Sequence, residues 1–578
     1  MKRVFSHLRP YIKETVIAPL FKMSEALLEL FVPLVVAAIV DRGIANGDRP
    51  YVLKMALLLV LLGIVGLAFS VTAQFFAARA AVGFAGRVRF ALFKKTQTLP
   101  VPELDRVGTS TLITRMSADV DRAQSGVNMV LRLFLRSPFV VFGSMVMAYI
   151  VDPFSGVIFS VAIAALAVVV FAIMLITMPI HRRLQGRLDR VVGLTRENIG
   201  GVRVIRAFGR EEEEQRAFAE ESRLLRGLQL LVGRISAILN PLTFVMLNIT
   251  VIVLLHYGAI RIDSGRLTQG EMIALYNYMT QLLVELIKLA DLIVTLTRAI
   301  ASGKRIDGVL ASDASLESLP EETPDRSSAE HVVFENVSMT YPGASASALS
   351  GVSLSIRRGE TVGIIGGTGS GKSSLVSLIP HFYDPSQGRV LIDGVDSRAY
   401  PVSDLRRRIG FVLQRSVLFT GTIRENLRIA DPSASDEALL RAVRVAQAED
   451  VLAAKGGLDG AVAQNGRNLS GGQRQRLAIA RALVGKPDIL ILDDSSSALD
   501  YATDARLRAA LATLSGEMTV IIISQRTASI TSADRIFVLD DGALVGEGTH
   551  AELLRSCEVY REIHESQLSA DEREGGAK

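Results

Sequence analysis

The stretch Gly366-Gly367-Thr368-Gly369-Ser370-Gly371-Lys372-Ser373 decides how the carboxyl-terminal half of this chain is read. It follows the apolar run Thr361–Ile365, read as a strand, and precedes Ser374–Ile379, read as the start of a helix. That is the G-x-x-x-x-G-K-S pattern in the strand–loop–helix setting it requires. Glycines let the backbone N–H groups turn inward around phosphate oxygens, and the helix N-terminus adds a favourable dipole. Gly366, Gly367, Thr368, Gly369, Ser370, Gly371, Lys372, Ser373 and Ser374 are therefore the expected nucleotide-binding set. Lys372 is expected on the β and γ phosphates and the Ser373 hydroxyl on Mg²⁺. The bland alternative is a glycine-rich turn before a helix, and the Lys-Ser pair in this context argues against it.

Working outward, Ile489-Leu490-Ile491-Leu492-Asp493 reads as a buried strand ending in an acid, with Asp493 expected to hold Mg²⁺ directly or through water. Alone, such a run is mostly just a buried strand; the phosphate loop upstream favours the nucleotide reading. The runs Val332–Phe334, Val362–Ile365, Ile489–Leu492 and Val520–Ile523 alternate with helical segments, which predicts an α/β domain over 331–567. Asp541-Gly542, between Ile536–Leu539 and Ala543–Val545, reads as a hairpin turn. The Ser-, Asp-, Glu- and Pro-rich stretch 302–330 reads as a linker and 568–578 as a polar tail.

The amino-terminal half is of another kind. The whole chain has 578 residues, 49% of them hydrophobic, which an ordinary soluble domain also reaches. The distribution is what matters. Met55–Ala78, Pro153–Ile180 and Ile235–Ile260 carry no charge, and each exceeds the ~20 residues that cross a bilayer. Six membrane helices are expected, at roughly 15–40, 52–79, 130–151, 154–180, 238–261 and 271–296, within a domain spanning 1–301. Collagen-like, disordered, disulfide-stapled and wholly soluble classes are excluded, and the single Cys557 fits a soluble half in reducing cytosol. Lys22, Glu25 and Glu29 interrupt the apolar run a cleaved signal peptide would need. The net charge of +5 comes from 64 basic and 59 acidic side chains. Basic residues gather at the amino end and in the segments holding Arg87–Lys95 and Arg182–Arg190, which predicts a cytoplasmic amino terminus. No aromatic interleaving accompanies them, so nucleic acid is not an expected partner.

Between the two nucleotide motifs lies Leu469-Ser470-Gly471-Gly472-Gln473, immediately before the helical run Arg474–Leu483. This resembles the signature motif of ABC transporters, and the resemblance covers essentially the whole chain as a half-transporter of the exporter type. It implies an α-helical six-span membrane domain followed by an α/β P-loop nucleotide-binding domain, in the cytoplasmic membrane, with ATP and Mg²⁺ as cofactors. It further implies that Tyr341 stacks on adenine and that Gln414 senses Mg²⁺. Ser497-Ala498-Leu499-Asp500 matches the D-loop. Gly108–Asp121 and Glu197–Phe208 look like the inner-loop segments that touch the nucleotide domains. Two such domains meet head to tail in this family. Ser470, Gly471, Gly472 and Gln473 would then serve ATP on the partner's loop, so a second half-transporter is required.

Three positions depart from the family pattern. Asp494 stands where the water-positioning Glu is usual, Gln525 where His is usual, and Gln464 where Glu is usual. The shorter carboxylate at 494 sits roughly 1.5 Å further back, and a misplacement of about 1 Å can cost ~100-fold in rate. Asp494, Gln525 and Gln414 are the expected catalytic group, with weak hydrolysis on this chain. The expectation is a heterodimer in which this chain carries the degenerate site, with an active homodimer as the alternative. In the membrane half, Lys22, Glu25 and Glu29 share one helix face, as do Glu285, Lys288 and Asp291. They would either line a polar cavity for a small amphipathic or drug-like substrate or be merely paired and solvated. A flippase or importer of exporter fold, or an ATP-gated subunit that does not pump, are the other functions considered.

Overall fold

The structure is a computed structural model and describes residues 1–312, 316, 318–320, 329–514 and 516–567. Most of the expected linker and all of the expected tail 568–578 lie outside the described residues. Backbone packing divides the chain into two compact units: Met1–Gln97 with Ser110–Ser312, and Thr98–Thr109 with the chain from Asp313 onward.

The first unit is helical: α1 Ile12–Ala38, α2 Arg49–Thr98 as far as Gln97, α3 Val120–Leu133, α4 Arg136–Val151, α5 Pro153–Ala207, α6 Glu211–Asp263 and α7 Gln269–Ala311. Local chemistry sets the starts. Asp152 caps α5 by accepting from the Ser155 N–H at 2.8 Å, and Pro153 occupies the first turn, where its missing N–H costs nothing. Thr268 and Glu271 form a capping box at α7. The expected spans 52–79, 154–180, 238–261 and 271–296 prove to be parts of longer helices, whereas the expected 130–151 is broken at Phe134–Leu135 between α3 and α4. Polar sequence beyond the bilayer contains no strong breaker, so the helices simply continue, and α5 and α6 are tied by Arg187 donating to Glu221 at 2.9 Å.

Among the described residues, five helical stretches are long and apolar enough to cross a membrane: Arg9–Ile44, Arg49–Thr98, Thr109–Val151, Pro153–Ala207 and Glu211–Asp263. Six were expected. The sixth falls on α7, which is long enough, but Glu271, Glu285, Lys288 and Asp291 dilute its apolar content. It also runs through Ala311, so residues 302–311 are helix where a linker was expected. The short helix Val101–Val107 belongs to the second unit, ahead of the expected Gly108–Asp121, which returns to the first unit from Ser110. Glu197–Phe208 closes α5 and stays in the first unit.

The second unit contains a six-stranded sheet in the order Ala543–Gly548, Arg535–Asp540, Thr361–Gly366, Thr519–Ile523, Ile489–Asp493, Ile409–Val412. The strand leading into the phosphate loop pairs in parallel with both neighbours. Helices and a second sheet cover its faces, so Ile364, Ile365, Ile491, Ile521 and Ile522 are all buried; this is why these strands read as unbroken apolar runs. The expected hairpin is present: Asp540 pairs with Ala543 across Asp541 and Gly542, both at positive φ. A four-stranded antiparallel sheet built from Glu330–Met339, Leu349–Arg357, Gln387–Ile392 and Val395–Asp396 packs beside it.

Candidate nucleotide-binding site

The parallel strands Thr361–Gly366 and Ile489–Asp493 end on the same side of the sheet, which places the phosphate loop beside Asp493. A cavity of about 330 Å³ opens there. Its wall takes in Tyr341, Thr368, Gly369, Lys372, Ser373 and Ser374, together with Gln414, Asp493, Asp494 and Gln525. Residues from five separate stretches of sequence thus converge.

Gly371 shows what the loop demands of its residues. Its φ is 92°, and a Cβ there would stand 2.6 Å from the Ala348 carbonyl oxygen. At Gly369, on the cavity wall, nothing lies within 4 Å of where a Cβ would be, which leaves room for a close-approaching phosphate. The Lys372 ammonium donates to the carbonyls of Gly366 at 2.9 Å and Gly367 at 2.5 Å, and to Ser370 Oγ at 3.1 Å. Burial lowers its pKa, against the opposing pull of Asp494 and Asp493.

Ser373 Oγ donates to Asp493 Oδ1 at 3.0 Å, so two of the three residues expected at Mg²⁺ already meet, while the third, Gln414, turns to Asp494. Burial raises the Asp493 pKa, and the Ser373 hydrogen bond opposes the shift. Among the described residues no three His, Cys, Asp or Glu side chains cluster as a metal cage. One hydroxyl and one carboxylate fit Mg²⁺, which keeps several waters and takes its remaining ligands from phosphate.

Gln414 Nε2 donates to Asp494 Oδ2 at 3.1 Å. Gln525 is exposed, and its backbone carbonyl accepts from Gln567 Nε2 at 2.7 Å. Tyr341 shares a hydrogen bond with Ser374 at 3.0 Å and meets Tyr383 edge to face, with ring centroids 5.2 Å apart. Tyr383 in turn donates its hydroxyl to Asp105 of the short helix Val101–Val107. Neither Tyr383 nor Ala348 was among the expected site residues. No motif surrounds them; only the fold of the antiparallel sheet brings them here.

Ser470, Gly471, Gly472 and Gln473 do not join this cavity. Ser470 instead caps the helix Gly471–Val484: its Oγ accepts from the Gln473 N–H at 3.3 Å and its own N–H donates to Gln473 Oε1 at 2.9 Å. A Cβ at Gly472 would stand 2.9 Å from the Ala498 carbonyl, so the expected D-loop braces the start of this helix. Gln464 is exposed.

Residues 15–286 match the family described as ABC transporter transmembrane region, and residues 349–497 the family described as ABC transporter. An uncharacterized ABC transporter ATP-binding protein of Mycobacterium tuberculosis is 37% identical over 571 residues, covering 98% of each chain. This chain is an ABC transporter. The transporter is also similar to the ATP-dependent lipid A-core flippase of Thiobacillus denitrificans, with 30% identity over 583 residues and 98% of each chain covered. In fold it matches a bacterial Atm1-family ABC exporter with ATP bound, at a TM-score of 0.80 and 24% identity, over 97% of this chain and 99% of that one. The ABC transporter is accordingly a multi-pass membrane ATPase of exporter fold that uses ATP and Mg²⁺, with its ATPase domain in the cytoplasm. Transporters of this fold act as dimers.

Proposed function

We propose that this chain is one half of a six-span exporter that carries an amphipathic or drug-like substrate, and that its own ATP site is the degenerate one of a heterodimer. The domain limits are taken as 1–301 for the membrane domain, with α7 extending it, and 331–567 for the ATP-binding cassette. The observation that carries the proposal is the company Asp494 and Gln525 keep. Both line the cavity that holds an ordinary phosphate loop, while an unaltered Leu469–Gln473 faces elsewhere. In this arrangement Gly366–Ser374, Tyr341 and Asp493 hold ATP and Mg²⁺ on this chain. Asp494, with Gln414 and Gln525, hydrolyses it slowly, and Ser470–Gln473 complete the competent site on the partner. The test is Mg²⁺-ATPase of the purified chain alone and after mixing with its partner half. Activity only in the mixture is expected; brisk hydrolysis by the lone chain would sink the heterodimer and leave the homodimer.

A second reading is favoured by one observation. Relatives matched from end to end include lipid A-core flippases, which supports an amphiphile of the membrane itself as the cargo. Movement of labelled lipid between leaflets of proteoliposomes, dependent on ATP, separates this from export of a soluble drug-like compound.

A further inference from the structure

The interior of the membrane unit holds an ionic chain that the nucleotide chemistry does not use. Arg136 of α4 donates from Nη2 to Glu29 of α1 at 2.6 Å and from Nη1 to Glu285 of α7 at 2.5 Å. Glu285 also accepts from Ser137 at 2.9 Å and from Lys288 at 2.8 Å. The order is therefore acid, base, acid, base. Its two middle members are closed off, with Arg136 7% and Glu285 3% exposed. Its two ends are open, with Glu29 37% and Lys288 42% exposed. Glu29 lies on the face of α1 that also carries Lys22, Glu25, Ala26 and Leu30, all buried, so its opening is toward the bundle rather than the outward face of Leu27 and Phe31. Lys22 and Glu25 are not available in the same way, since they pair with each other at 2.5 Å and both are buried.

We infer that Glu29 and Lys288 form the two poles of a site for the zwitterionic headgroup of an amphiphile, an ammonium on Glu29 and an acidic group on Lys288. Three arguments carry this. Ionisable groups inside a membrane bundle are costly to keep, and these are neutral as a set, so a neutral zwitterion adds no net charge. Glu29 can turn to an incoming ammonium because Arg136 keeps Glu285, so no buried charge is stranded. The chain of contacts limits the two poles to roughly 10 Å apart, about the span of two charges on a two-carbon spacer with one charge-assisted hydrogen bond at each end. Phosphoethanolamine has this shape, whether on a lipid or on a soluble carrier.

The inference rests on the transport reading above. It is tested by equilibrium binding to the full-length chain with its partner in nanodiscs of phosphatidylcholine. The probes are dihexanoylphosphatidylethanolamine, dihexanoylphosphatidylglycerol, decylamine and tail-free glycerophosphoethanolamine. The zwitterionic lipid is expected to bind tighter than either singly charged probe. E29Q should weaken it and decylamine about tenfold while sparing the phosphatidylglycerol probe; K288Q should weaken it and the phosphatidylglycerol probe while sparing decylamine. Glycerophosphoethanolamine binding as well as the lipid assigns a soluble cargo, and weaker binding assigns a lipid. E29D and K288R, which keep the charges, should restore binding and so separate a site from a fold defect. Equal loss of all three charged probes in either variant, or decylamine binding as tightly as the zwitterionic lipid, overturns the inference. Intact probe binding without ATP-driven movement would overturn the transport reading instead.

Discussion

Asp494 has its backbone in the left-handed region, φ 46°, where Asp is better tolerated than most side chains, and its carboxylate is held by Gln414. Replacing it with the longer acid tests whether reach is what this site lacks. On the degenerate-site reading, D494E raises phosphate release from this chain's site by up to about 100-fold, and adding Q525H raises it further. A mixed dimer whose partner carries a disabled phosphate loop reads this site alone. The raised pKa of Asp493 gives a pH test. Its carboxylate takes up a proton at a higher pH than an ordinary aspartate's ~3.9, and Mg²⁺ must displace that proton. Mg²⁺ affinity should therefore begin to fall, as pH is lowered, above the range of an exposed aspartate, and D493N should abolish both affinity and slope in a Mg²⁺ titration followed by nucleotide binding. At this scale the loop was legible because its residues are consecutive and each has a chemical reason. Tyr383 was not, because its place against Tyr341 is decided by sheet packing rather than by anything adjacent in the chain.

The helix Gly471–Val484 and the short helix Val101–Val107 show what single elements add. Ser470 is both a cap and, on the proposed reading, a ligand for the partner's ATP. S470A should cost about 1 kcal/mol of stability in a denaturant titration through loss of the cap, and a far larger share of the dimer's ATPase activity. Val101–Val107 is pinned by Asp105 accepting from the Tyr383 hydroxyl, and burial together with Asp105 raises the Tyr383 pKa. Y383F keeps the aromatic pair but loses that bond. ATP binding should stay within about twofold, while substrate-stimulated ATPase falls toward the basal rate. Gly108 ends this helix at φ 78°, a backbone conformation that glycine adopts without strain. The expected spans mark where lipid stops and not where hydrogen bonding stops, so α2, α5 and α6 run on well past them.

For the whole molecule, the division into a membrane half and an α/β half was readable from charge-free runs and motif order, but the ties inside the bundle were not. Arg136 is one basic residue among many in the sequence, yet it joins three helices. R136A strands two carboxylates of which one is fully buried, and should destabilise the protein by about 3–5 kcal/mol, read as a large drop in the midpoint of thermal inactivation in detergent. A final consequence concerns the chain's covalent path. Because Thr98–Thr109 belongs to the ATPase unit although it lies far upstream of it, no single cut frees that unit whole. A fragment starting after residue 312 would lack the helix Val101–Val107 and with it the Asp105 partner of Tyr383. A synthetic peptide of residues 98–109 should bind the fragment, a complementation that neither the peptide with D105A nor the Y383F fragment should achieve.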